Sequence, residues 1–265
     1  MIRGGGQACA MVVALLLIAR SVGFAASMND LVRAYPEFLS GVDGTNLIWR
    51  DGTRMPVSDG RPDKSFDEQL RSGSILDQLR LAYPAGAPIL PPQEDPGRVR
   101  NRAFFEKMYG DCRAGEVVRK LVPVVWLPHT WGHVVSITSV NGVDRALAAI
   151  SRELDELPPE DKKYLYPPGG TYACRSVVDS GQISMHAVGA AIDINPAFSD
   201  YWLWRRGANG SPIYRNRIPS EIVAVFERHG FIWGGRWSHF DTMHFEYRPE
   251  LLSFNSNQKV AHAHH

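Results

Sequence analysis

The stretch Ser184-Met185-His186-Ala187-Val188-Gly189-Ala190-Ala191-Ile192-Asp193 holds the key to this chain. It places His186 and Asp193 seven residues apart around Gly189. Seven extended residues span roughly 23 Å, so the two side chains meet only if the backbone reverses between them. Gly189, which tolerates positive φ, is the natural place for that turn. Asp193 then projects from a strand, with Ile192 and Ile194 entering a core on the opposite face.

Asp241-Thr242-Met243-His244 lies further along the chain. Two imidazoles and a carboxylate are a common set of protein ligands for catalytic zinc, which keeps its fourth position open. His186, Asp193 and His244 are therefore the candidate metal ligands. In a strand over 243–247, Met243, Phe245 and Tyr247 share one face and His244 and Glu246 the other. Asp241, three residues before His244, has the wrong parity for that face. It belongs in the preceding turn, free to act as general base on water. Glu246 competes with it, either for that role or as an outer partner of a ligand histidine.

Working outward, two amphipathic helices are legible, over 142–154 and over 220–229. The second has Ser220 as cap and Gly230 as stop. Val122 to Leu127 and Val134 to Val140 read as a hairpin with a six-residue loop, and residues 190–194 and 243–247 as two further strands. Segregated strands and helices without a βαβ rhythm imply an α+β fold. The Pro-, Gly- and Asp-rich lead, residues 26–110, is expected to pack on a core formed by residues 111–252.

The first 25 residues read as a signal peptide. Arg3 is followed by 12 apolar residues from Ala8 to Ala19 and by the small residues of Gly23-Phe24-Ala25. Twelve residues make a helix of roughly 18 Å, short of a ~30 Å hydrocarbon core. No stable membrane insertion is expected once it is removed, and the destination is periplasmic or secreted. That compartment favours a disulfide between Cys112 and Cys174. The 265 residues carry 29 Lys and Arg against 28 Asp and Glu, a net charge of +1 that falls to −1 with the loss of Arg3 and Arg20. Such a balance offers nucleic acid no electrostatic footprint. His129 and His133 are four apart, but Pro128 and Gly132 argue against a helix presenting both. His262, His264 and His265 belong to a polar tail, residues 253–265.

Ser184 to Asp193 fits S-x-H-x-x-G-x-A-x-D, and Asp241 to His244 fits the [DE]-x-x-H that follows it in the zinc D-alanyl-D-alanine carboxypeptidases and L-alanyl-D-glutamate endopeptidases of the VanX and VanY type. The chain resembles that family over residues 170–250. The resemblance implies a hedgehog/DD-peptidase fold, with a small antiparallel sheet carrying the zinc and helices packed against it. It makes His186, Asp193 and His244 the ligands and Asp241 the base, where many members have Glu. Arg175, just after Tyr172, matches an arginine that would hold an oxyanion or a substrate carboxylate. Ser184, Trp233 and Trp237 are candidate substrate-binding residues, although the two tryptophans read equally well as buried core. The implied activity is zinc-dependent hydrolysis of peptidoglycan stem peptides, as carboxypeptidase or endopeptidase. The alternative is a metal-containing cell-wall module that binds or regulates without hydrolysing.

Overall fold

The computed structural model describes residues 26–177, 181–207 and 210–252, so the expected leader and polar tail lie outside the described residues. In chain order the elements are α1 (Met28–Ala34), β1 (Leu39–Asp43), β2 (Asn46–Trp49), β3 (Arg54–Pro56), α2 (Phe66–Ser72), α3 (Ile75–Leu79), α4 (Arg102–Tyr109), β4 (Leu121–Trp126), β5 (His133–Thr138), α5 (Val143–Asp155), α6 (Pro159–Lys162), β6 (Ala191–Asp193), α7 (Ser220–Arg228), β7 (Phe231–Trp233) and β8 (His244–Tyr247). The fold is α+β, with three small antiparallel sheets ordered β1-β2-β3, β4-β5 and β6-β8-β7. None of the described helices is long and apolar enough to cross a membrane.

The last sheet carries the site. β8 lies at its centre, pairing His244 with Asp193 of β6 and Phe245 with both Ile192 and Trp233. Alternation sends Phe245 to one face, where it stacks on Phe226 of α7 at 3.8 Å. His244 and Glu246 take the other face. Helix α7 rests in turn on α5, whose buried stripe Val143, Leu147, Ile150 and Leu154 also covers β4. Ser151 joins that contact by donating to Val125 O and accepting from Leu127 N. At the start of α7 the expected Ser220 cap gives way to Pro219. Its extended backbone takes the cap position, and Ser220 opens the helix without a side-chain cap.

The lead is more ordered than its composition suggests. Its first three helices each begin with a reciprocal capping box, Ser27 with Asp30, Ser65 with Glu68 and Ser74 with Asp77. Tyr35 and Trp49 pack around Phe104 of α4, with centroids 5.7 Å away in both cases. These side chains join those of β4 to β8 in one buried apolar cluster. Residues 94–100 then run behind the third sheet, where Trp237 Nε1 donates to Pro96 O and Arg248 Nη1 to Gly97 O. Gly97 has φ +84, and a Cβ there would lie 2.5 Å from Ile232 Cδ1, so only glycine permits this approach. The Cys112–Cys174 disulfide is formed and ties the end of the lead to the segment preceding His186.

Candidate metal centre

His186 sits in a single helical turn, Met185–Val188, capped by Ser184 Oγ, which accepts from His186 N. Gly189 ends the turn with φ +68, and Ala190 N closes back on Met185 O. This is the reversal that the seven-residue spacing requires, and it leads directly into β6. A second constraint holds Gly189 as glycine: a Cβ would lie 2.7 Å from Leu121 Cδ2 of the neighbouring hairpin. Asp193, at the end of β6, is opposite His244, the first residue of β8. It is held from its other side by paired hydrogen bonds with Gly169 and Gly170.

Three donor atoms converge. His186 Nε2, Asp193 Oδ1 and His244 Nδ1 form a triangle with all three sides 3.1 Å. A tetrahedral site with bonds of ~2.0–2.1 Å has donors about 3.3 Å apart. Outer partners fix both rings for that role. His186 Nδ1 lies 2.8 Å from Thr171 O, a carbonyl that can only accept, so its proton sits there and Nε2 is left as a lone pair. His244 Nε2 donates to Glu246 Oε2 at 2.8 Å, which leaves Nδ1 facing Asp193. Burial opposes a charged His244, but hydrogen bonds to the Asp193 and Glu246 carboxylates outweigh it and push its pKa up to about 9. Burial likewise opposes ionisation of Asp193, yet the two imidazoles hold it well below the usual carboxylate range. The spacing, the two rings oriented by their outer partners and the anionic oxygen together fit a divalent ion such as zinc, which would displace the proton from His244 Nδ1 on binding.

Asp241 supplies an independent sign of an absent partner. Its Oδ1 is buried and has no hydrogen-bond partner. Burial, then the nearby Asp193 charge, raise its carboxyl to about 6. It lies in the turn before β8, its amide donating to Gly234 O, as the parity argument expects. Glu246 is committed elsewhere. Fully buried, it accepts from His244, Arg100 and Arg248, and despite the cost of burial the Arg100 charge keeps its pKa well below normal. Its geometry is that of an outer partner and not of a base.

The three donors and Asp241 open into a cavity of about 240 Å³ also lined by Ser184, Arg175 and Trp237. Arg175 is exposed, and its guanidinium makes no ion pair among the described residues. Trp237 is nearly buried, with its ring 5.6 Å from that of His244. Trp233 does not reach the cavity. Its ring is fully buried against Phe245, and its Nε1 donates to Thr242 O, so it belongs to the core and not to a cleft wall. Sequence reading missed Arg100, which holds Glu246, because 146 residues separate them. It also missed the outer wall formed by Tyr201, Trp202 and Trp204. A run of three aromatics from residue 201, followed by Arg205 and Arg206, was the available signal.

Residues 178–247 match a family model described as D-alanyl-D-alanine carboxypeptidase. No curated protein and no solved structure matches the chain. The matched stretch contains His186, Asp193, Asp241 and His244 and ends on the last residue of β8. Arg175 and the lead fall outside it. The similarity is therefore to a peptidase family, and it covers the part of the chain that carries the candidate site.

Proposed function

We propose that this chain is a secreted or periplasmic zinc peptidase that hydrolyses peptide bonds in peptidoglycan stem peptides. The observation that carries the reading is the 3.1 Å triangle of donors with a partnerless Asp241 oxygen beside it in an open cavity. His186, Asp193 and His244 would hold the ion, which supplies Lewis-acid polarisation of a carbonyl and of water. Asp241 then takes the proton of the attacking water at Oδ1 and passes it to the leaving amine. Burial holds that carboxyl above the ordinary carboxylate value, which favours its reprotonation once it has acted as base. Arg175 offers guanidinium donors to the oxyanion or to a substrate carboxylate from the cavity wall. Ser184 and Trp237 bound the space where the peptide lies.

The test is hydrolysis of defined stem peptides by the zinc-loaded protein, with identification of the amine released. Free terminal D-alanine indicates a carboxypeptidase, and an internal fragment an endopeptidase. Intact peptides in the presence of stoichiometric zinc would defeat the proposal. Asp241→Asn is expected to lower kcat by at least 100-fold while zinc stoichiometry, measured by atomic absorption, stays at one.

A further inference from the structure

Beyond the metal centre, Tyr201, Trp202 and Trp204 form the outer wall of the cavity, and one of them is left open to solvent. Trp204 is 60% exposed. An indole open at a cavity wall offers a flat apolar face to whatever enters the cavity. The ring is not on a loose loop. Trp204 N donates to Tyr201 O, Ile213 N to Arg205 O, and the indole stands edge-on to Tyr201 with centroids 5.5 Å apart and planes at 78°. An edge-on neighbour supports the ring without covering its face.

The platform is also registered to the catalytic centre. Tyr201 bridges Asp241 through the backbone, Trp202 N donates to Phe240 O, and Thr242 N donates to Asp200 O. Asp200 in turn takes Arg205 and Arg217 by their Nε atoms at 3.0 and 2.9 Å, and Arg206 lies over the Trp202 ring. What the cavity wall offers is the open indole of Trp204 together with the exposed guanidinium side chain of Arg175, which lines the same cavity. A purely apolar partner would need a broader patch, and a bare anion would need no indole. The matching ligand is a ring with an apolar C–H face and acceptor oxygens on its edge, which is a pyranose.

We propose that Trp204 is a sugar-stacking subsite for the amino sugar from which a stem peptide hangs, so that the protein prefers glycan-linked peptide over the free peptide. The inference rests on the peptidase reading above, because that reading supplies the sugar-bearing substrate.

The experiment compares wild type, Trp204→Ala and Trp204→Phe on two peptides of identical sequence, one carrying an N-acylated amino sugar and one without it. Trp204→Ala should raise KM for the sugar-linked peptide at least fivefold more than for the free one, with kcat changed little, and Trp204→Phe should recover most of the difference. Equal effects on both peptides, or none on either, overturn the subsite. A wild type that cuts neither peptide defeats the peptidase reading instead. The subsite is then decided by calorimetric titration of both peptides, where loss of the sugar-dependent gain in Trp204→Ala supports it and its persistence refutes it. An unlinked amino-sugar oligomer is the third arm. Trp204-dependent binding as tight as that of the linked peptide would assign the platform to a free polysaccharide and overturn the stated source.

Discussion

Glu246 and Asp241 are carboxylates of opposite character only five positions apart. Glu246 is saturated with donors, while Asp241 keeps one oxygen without any. Their substitutions should therefore separate cleanly. Glu246→Gln removes the charge that orients His244, and zinc affinity measured against a chromophoric chelator should fall ~10–100-fold. Arg100 and Arg248 would also lose their shared counter-charge inside the protein. Breaking a buried pair in this way costs about 3–5 kcal/mol, so the same variant should unfold at markedly lower denaturant. Asp241→Asn should instead leave zinc affinity near wild type and remove turnover. A Glu246→Gln protein with unchanged zinc affinity would return Glu246 to the list of candidate bases.

At the level of elements, the turn through Gly189 links sequence to site most directly. Gly189→Ala must adopt φ +68 and fit a methyl 2.7 Å from Leu121 Cδ2. Left-handed backbone costs an alanine about 1–2 kcal/mol, and overpacking adds about 1–3 kcal/mol, so urea unfolding should show a loss of at least ~2 kcal/mol. Much of this level was readable in advance. The two longest described helices lie within one residue of their expected ends, and His186, Asp193 and His244 meet as their spacing requires. The three capping boxes of the lead were written in the sequence as Ser followed three residues later by Asp or Glu, but the short helices behind them carry too few apolar positions to show a period. Trp233 reads equally as cleft wall or as core because the Gly-containing stretch around it has no period to say which side of the ring is covered. Arg100 has no local signature at all, since only the tertiary fold brings it to Glu246.

Across the whole molecule, two tyrosine hydroxyls lock the lead to the C-terminal elements. Tyr35 donates to Glu250 at 2.6 Å, and Tyr83 to Glu227 at 2.8 Å. Burial, reinforced by these carboxylates, raises both phenols well above their ordinary value of about 10. The folded state thus keeps protons that the unfolded chain releases above pH 10. Stability from these groups is complete below that pH and is lost as pH rises through it, at roughly 1.4 kcal/mol per pH unit for each tyrosine. Thermal unfolding followed from pH 8 to 11 should show Tm falling above pH 10, with a shallower fall in Tyr35→Phe. The same wiring bears on how portable the stretch with the candidate site is. Glu246 and His239 lie within residues 178–247, but the guanidinium of Arg100 and the carboxylate of Asp95 that answer them come from the lead, and Arg248 follows one residue past the end. Transplanted alone, that stretch would carry His244 with a steadying partner, Glu246, that had left its own counter-ions behind, so a minimal folded version of this site has to begin well upstream of residue 178.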